Sequence, residues 1–399
     1  MILTAKRLIS GDGETILANG AVLIEDGVIK ESGTVGDLKA RHPEISEVID
    51  YGEATILPGL IDMHVHIGFF TSQRRPSGIN DIYMVGFNAF DFAHKSLSAG
   101  VTTLRDVSSP DGVCQSLIDA GKKGWLQVPR ILHSNRSINA TGGHAWSTGD
   151  AAVEADGVDA IRQAVRQQAK AGATWIKVMA SHRSPGVSEY TQEELDAAVD
   201  EAHRHLCKIA VHSSIQPSLE LCINAGFDTI EHGCDITPDQ ARRMVEKNIT
   251  WVPTLLVHKT TYDHLKAIID AGKKHTFTER QHETWRVYEP AVASLKANLM
   301  PYYEMGVTIV AGTDMIGEHL KAAPVADELV VMVEYGMSPL KAIAAGTSVC
   351  ARVLGMEGQI GILAPQAQAD ILIVNGDPVA DINVLNDVKA VYFGGKKVC

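Results

Sequence analysis

The sequence predicts an α/β protein: a parallel (β/α)8 TIM barrel joined to a small β-sandwich domain built from both termini. Three observations predict it. A helix-to-strand unit recurs through the middle of the chain, in "LSAGVTTLRD", "AKAGATWIKV", "INAGFDTIEH" and "YEMGVTIVAGTD". Each copy has a helix tail, a glycine suited to the left-handed residue after a helix, a short β-branched strand and then a polar or ionisable residue. The two ends instead carry short β-rich runs, "AVLIEDGVIKESG" near the start and "ADILIVNGDP" with "KAVYFGGKKV" near the finish, punctuated by "EDG", "NGD" and "GG" turn signals. Finally, helices alternating with strands imply a parallel sheet.

Residues 1–57 plus 362–399 form the composite sandwich on this reading, and residues 58–361 the inserted barrel. Candidate barrel strands are the run ending at His66, then "VTTLRDV", "RILHSN", "WIKVMA", "KIAVHSS", "DTIEHG", "TWVPTLL" and "TIVAGTD". That number of parallel strands suits a closed barrel, which typically uses about 250 residues plus insertions. A doubly wound open sheet is the alternative, weakened by the absence of G-x-G-x-x-G after the first strand. Helix starts support the alternation. Thr191 and Glu194 make a capping-box pattern, while Thr237-Pro238 and Ser338-Pro339 pair a cap residue with proline at the first helical position. The segment from His258 to Leu299 exceeds a simple connection and is expected to place helices over the barrel mouth.

Composition limits the function classes. The 399 residues are 45% hydrophobic and 21% charged, enough for a sizeable core. A formal charge of -12, with a pI near 5.7 and no basic stripe, argues against nucleic acid and anionic membranes as partners. The N-terminal "MILTAKRLISGDGE" has no export pattern, and six scattered cysteines without C-x-x-C suit a reducing compartment, so a cytoplasmic location is expected.

The chemistry begins at "PGLIDMHVH". In an extended strand, alternate side chains share a side, so His64 and His66 face one way. A bare H-x-H also fits two solvent-facing histidines. In a barrel, however, C-terminal strand ends converge on one mouth, and they bring His64, His66, Lys177, His212, His232 and Asp314 there. Taken singly, His212 reads equally well as a core histidine, His232 as a turn residue and Lys177 as a snorkelling lysine. Jointly they point to a metal site. An ammonium of ordinary pKa near 10.4 would repel a cation; converted by carbon dioxide to a carbamate, Lys177 becomes an anionic oxygen ligand able to bridge two cations.

The ordered set "PGLIDMHVH", "IKVMA", "VHSS", "IEHG" and "GTD" resembles the amidohydrolase superfamily. "GVTTLRDV", "TGGH", "WIKVMA", "WVPTLL" and "MVEYGMSPLKAI" resemble, more narrowly, its prolidase-like branch of metal-dependent dipeptidases and amide hydrolases. The resemblance implies that His64, His66 and Asp314 hold one divalent cation, that His212 and His232 hold a second, and that carboxylated Lys177 bridges them. Imidazole and carboxylate ligands without cysteine suit zinc, with manganese, iron or cobalt as alternatives. It further implies a metal-activated hydroxide attacking an amide carbonyl, with Asp314 as proton shuttle.

His144 in "TGGH" falls where the branch places a substrate-contacting histidine, and a loop-packing role is the alternative. His258 stands where relatives often carry a tyrosine that hydrogen-bonds the substrate carbonyl; an imidazole can fill that role, or simply start the inserted helices. Two departures concern the substrate. "MASHRSPGVS" follows the lysine strand and brings His182 and Arg183 toward the mouth, and "IGFFTSQRRPSGIN" after His66 adds Phe69, Phe70, Arg74 and Arg75. Arginines here would suit a substrate carboxylate, the alternative being solvated loop charges.

The expected activity is therefore hydrolysis of a C–N bond in a dipeptide, N-acyl amino acid or related amide. A carbamate, urea or ester hydrolase on the same centre is the nearest rival. A deaminase fits less well, because "AVHSSIQPSLE" offers only Glu220, far along a probable helix. A non-catalytic scaffold on the same fold fits least, since all six ligand positions are present. A small-molecule substrate and a homo-oligomer, common among relatives, complete the expectations.

Overall fold

The computed structural model describes residues 1–69, 79–182, 187–315 and 322–398. Two of its sheets are wholly parallel. Leu60–Val65, Val101–Asp106 and Arg130–His133 form a three-stranded sheet; the six-stranded sheet runs Ala152–Glu154, Ser137–Asn139, Trp175–Met179, Lys208–Ser213, Thr229–His232, Thr250–Val252. Strands such as Leu60–Val65 and Trp175–Met179 are buried at every residue, as parallel strands covered on both faces must be. The helices between them are amphipathic. Val158–Lys170 buries Ile161, Ala164, Val165 and Gln168, the spacing of one helical face. Truncating Ile161 to alanine there would cost about 2–5 kcal/mol.

Six of the eight expected strands form at the expected places, each within a few residues of its predicted ends. The other two are corrected. "TWVPTLL" is a strand only over Thr250–Val252, because Leu255 already starts the helix Leu255–Asp270. "TIVAGTD" forms no strand among the described residues. It runs extended, held by Trp251 N–H donating to the Thr308 carbonyl (2.8 Å) on one side and Met63 N–H donating to the Ala311 carbonyl (3.0 Å) on the other. Gly312 explains part of this: a Cβ there would stand 2.9 Å from the His64 Cβ and 2.5 Å from a Val252 methyl. Two short strands, Ser137–Asn139 and Ala152–Glu154, were not expected.

Local signals behave as read. Thr191 and Thr237 complete capping boxes, and Ser338 precedes a proline-led helix without closing a side-chain cap. Gly226 and Gly306 end their helices in the left-handed conformation.

Both termini enter one eight-stranded sheet, ordered Lys396–Lys397, Val388–Phe393, Ile371–Val374, Thr55–Pro58, Ile2–Ile9, Ile16–Glu25, Val28–Thr34, with Val48–Asp50 added beside Ile2–Ile9. Leu3, Val22, Ile56, Ile371 and Tyr392 share one apolar cluster of this sheet. The Arg130 guanidinium donates to Asp370 (2.8 Å), tying the sheet to the parallel strands. The expected helices follow Val252: Leu255–Asp270 and the long Glu279–Met305 both supply walls of one large cavity. No helix among the described residues is long and apolar enough to cross a membrane.

Candidate active site

A cavity of about 750 Å³ opens where the parallel strands end. His64, His66, Lys177, His212, His232 and Asp314 all line it. His64, His66 and Asp314 come closest: each offers a ligand atom within 4.8 Å of the others, and Asp314 Oδ1 lies 3.5 Å from His64 Nε2 and 3.3 Å from His66 Nε2. His212 and His232 follow around the wall, their ring centroids 4.6 Å apart, with His232 5.1 Å from His64.

Buried hydrogen bonds aim these rings. His66 Nδ1–H donates to the Ser108 carbonyl (2.9 Å), leaving Nε2 as the lone pair. Asp106 shapes the loop behind it, its carboxylate accepting Ile67 N–H (2.6 Å) and Ser109 Oγ–H (2.7 Å). His64 Nδ1 donates to Glu231 Oε2 (2.6 Å), and Glu231 accepts Arg105 Nη2 on both oxygens (2.8 and 2.9 Å). Arg105 also reaches the Met63 carbonyl and the Thr229 hydroxyl, with its guanidinium 4.4 Å from the Trp175 ring centre. Burial opposes ionisation of Glu231, but Arg105 and His64 outweigh it and hold the carboxyl well below the usual range. Removing one member of such a buried pair costs about 3–5 kcal/mol.

Electrostatics favour ligating forms. Burial, then Lys177, lowers His64 to about 4, and burial with neighbouring histidines drives His212 and His232 well below the usual value. Neutral imidazole is the form that binds metal. Asp314 resists burial because His64 and His66 face it, and its carboxyl stays well below the usual range. Lys177 is buried, and among the described residues its Nζ has no hydrogen-bond partner. Burial lowers it to about 8, although Glu231 and Asp314 pull the other way. His232 (φ 70°), Thr254 (φ 48°) and Asp314 (φ 49°) all adopt the left-handed conformation, strain of the kind that clusters at functional sites.

The outer wall is built differently. His144 lies against His212, with ring centroids 4.0 Å apart, and His182 is 6.4 Å further out. His258 is buried; its Nδ1–H donates to the Thr254 carbonyl (2.8 Å) and Cys234 Sγ meets its Nε2 (3.3 Å), while Tyr288 stacks on the ring at 5.2 Å. With Nδ1 donating, Nε2 carries the lone pair and meets the Cys234 thiol, so neutral His258 lacks the N–H donor at Nε2 that was expected for a carbonyl. Phe69 lines the cavity beside His66, with ring centroids 4.9 Å apart. Phe70, Arg74, Arg75 and Arg183 lie outside the described residues. Glu220 is hydrogen-bonded to Arg243 and Gln240 and does not line the cavity.

A profile of the amidohydrolase family matches residues 55–398. The chain belongs to the amidohydrolase family. Among curated proteins this amidohydrolase is similar to the ochratoxinase of Aspergillus niger, 27% identical over 99% of this chain and 86% of the relative. The crystal structure of that ochratoxinase superposes with a TM-score of 0.84 at 26% identity, covering 99% of this chain and 94% of the other. A Xaa-Pro dipeptidase with methionine bound in its active site gives a TM-score of 0.85 at 29% identity, over 99% and 98% of the two chains. A prolidase complexed with N-methylphosphonate-L-proline gives 0.83 at 26%, over 100% and 99%.

Sequence reading missed several residues that serve the amidohydrolase site. Glu231 stood next to His232 in "IEHG", and Arg105 and Asp106 closed "TTLRD". Each was an ionisable residue at a strand end, the same signal that had singled out Lys177. Tyr288 carried no such signal; only the fold of the long helix Glu279–Met305 puts it beside His258.

Proposed function

We propose that this amidohydrolase is a binuclear metal-dependent hydrolase that cleaves the amide C–N bond of an N-acyl amino acid or dipeptide. The observation that carries the proposal is the amine of Lys177. It is buried, without a hydrogen-bond partner among the described residues, in a cavity shared with His64, His66, His212, His232 and Asp314. An ammonium there, shielded from solvent and with no acceptor among the described residues, is costly. Addition of carbon dioxide to the neutral amine, with loss of one proton, turns the same nitrogen into a carbamate whose two oxygens would suit a divalent cation. The donor set fits: His64, His66 and Asp314 would hold one cation, His212 and His232 a second, with the Lys177 carbamate between, and all-nitrogen-and-oxygen ligation favours zinc.

Bound cations supply Lewis acidity toward the scissile carbonyl and lower the pKa of water. The residues of the chain do the rest. Asp314, ionised at neutral pH, accepts the proton of the attacking water and returns it to the leaving nitrogen. Glu231 and Ser108 keep the His64 and His66 rings turned so that Nε2 faces Asp314. His144, His182 and His258, with Arg74, Arg75 and Arg183, are proposed to contact substrate. The likeness to a Xaa-Pro dipeptidase and to a prolidase with a phosphonate-proline ligand supports amide cleavage.

The same reading divides the chain into a β-sandwich of residues 1–57 and 362–399 and a closed barrel of residues 58–361. Closure is supported by Thr174 N–H donating to the His133 carbonyl (3.1 Å) across one seam and by the extended 308–311 segment across the other. Folding of the terminal sheet onto itself is supported by Ile29 N–H donating to the Ala367 carbonyl (2.8 Å). A cytoplasmic homo-oligomer acting on a small molecule is part of the proposal.

The test is metal analysis of protein purified without chelator, followed by incubation with dipeptides, N-acyl amino acids, carbamates and ureas. Two equivalents of metal and release of free amine from amides are expected. Turnover of non-amides alone would overturn the substrate class, and one equivalent would overturn the binuclear centre.

A further inference from the structure

Thr254 is a β-branched residue in the left-handed region, where such side chains are rare, and it opens the helix Leu255–Asp270 without a side-chain cap to that helix. A strained residue of this kind persists only where its surroundings over-determine it. Two of its contacts reach the active site: Thr254 Oγ1 lies 2.8 Å from His232 Nδ1, and its carbonyl accepts His258 Nδ1–H at 2.8 Å. The third set comes from elsewhere in the chain. The next two amides, Leu255 N–H and Leu256 N–H, donate to Glu328 Oε1 (2.9 Å) and Oε2 (2.6 Å). Glu328 is fully buried on the helix Val325–Glu334. A helix start leaves its first amides without intrahelical acceptors. Here one side chain, 72 residues or more away in sequence, satisfies two of them.

We propose that Glu328 is a positioning residue. By gripping the first two amides of Leu255–Asp270 it holds the left-handed turn at Thr254, and through Thr254 it sets the orientation of the His232 and His258 rings. It touches neither substrate nor a candidate ligand. The part that concerns His232 as a ligand rests on the binuclear reading above; the part that concerns ring orientation does not.

A double-mutant cycle distinguishes positioning from an ordinary structural cap. Glu328→Gln keeps the shape but turns an amide NH2 toward one of the two N–H donors, and Thr254→Val removes the hydroxyl while keeping the branch. Each single variant is expected to weaken the second cation about tenfold, the lower end of what loss of an orienting partner does to metal affinity. The double variant should be no weaker than the worse single one, because both break one chain of contacts. Independent multiplicative losses, or a lowered melting temperature with unchanged metal affinity, would overturn the proposal.

Nitrogen-15 spectra of labelled histidines in metal-free protein supply a readout that needs no cation. The His258 Nδ1–H signal should shift or broaden in Glu328→Gln, while that of His64, held by Glu231, stays in place. An unmoved His258 signal would sink the positioning role. A moved signal in a protein that binds one cation would sink the binuclear reading alone. Glu328→Asp shortens the reach by one methylene and is expected to show the same losses in smaller measure, so the test remains readable where the Gln variant does not accumulate.

Discussion

At the inner end of the cavity His64 and His66, with Glu231 behind them, are buried and tied to named partners, whereas at the outer end His182, Asp235 and Arg280 are exposed. The inner residues sit at or just past strand ends, locked by the Glu231 carboxylate and the Arg105 guanidinium on parallel strands and by the Ser108 carbonyl just beyond one. The outer ones sit on loops and on the first turn of Glu279–Met305. The difference separates two tasks. A constellation that must meet a reacting carbonyl needs rings fixed before substrate arrives. A wall that selects among substrates gains from groups that solvent or substrate can pair equally well.

Asp314→Asn is the largest intervention on the inner end. It should lower turnover by about 10²–10⁴, the usual worth of a general acid–base, while the fold stays intact; steady-state kinetics beside a melting curve will show it, and near-normal turnover would remove the shuttle. Lys177→Ala should abolish the second cation, read as a fall from two metal equivalents to one by elemental analysis. Glu231→Gln should weaken metal binding by about 10–100-fold through His64, measurable by competition with a chromophoric chelator. If it leaves affinity unchanged, the inner network only stabilises the fold.

A pH test concerns the joint between the two ends. Burial pushes the Glu328 carboxyl up to about 8 from an ordinary value near 4.5, against the two backbone N–H bonds that favour ionisation. Between those values the folded protein holds a proton that the unfolded chain has lost, so this group's contribution to stability falls as pH rises and levels off above about 8. Urea melts across that window should slope less in Glu328→Gln than in the parent. Smallest of all, Arg280→Ala on the outer wall should change KM by less than about tenfold, with kcat preserved, and should do so unequally across an N-acyl amino acid series. A large loss of kcat there would erase the distinction between the two ends.

Legibility in the sequence follows the same division. "HVH", "IKV", "VHSS" and "IEHG" were readable because strand alternation and the shared direction of parallel strands fix where a strand-end side chain goes, whatever its neighbours are. The pairing of Arg105 with Glu231 was not readable, because the two are 126 residues apart and meet only across the interior. The end of the strand at Val252 was hidden for a related reason. "TWVPTLL" carries no local signal that separates strand from helix, and the helix begins at Leu255, where Glu328 supplies acceptors for its first amides. "TIVAGTD" has strand composition, yet the close approach of Gly312 to His64 leaves it only isolated bridging contacts.

The sequence by itself determined the alternation of helices and strands, the family, and the six ionisable residues at strand ends, since these depend on local periodicity and on residue type. Only the tertiary structure decided which ring nitrogen of His64, His66, His232 and His258 is held by the protein. That choice is made by hydrogen bonds of the rings with Ser108, Glu231 and Thr254, partners that no local pattern connects to the rings they hold.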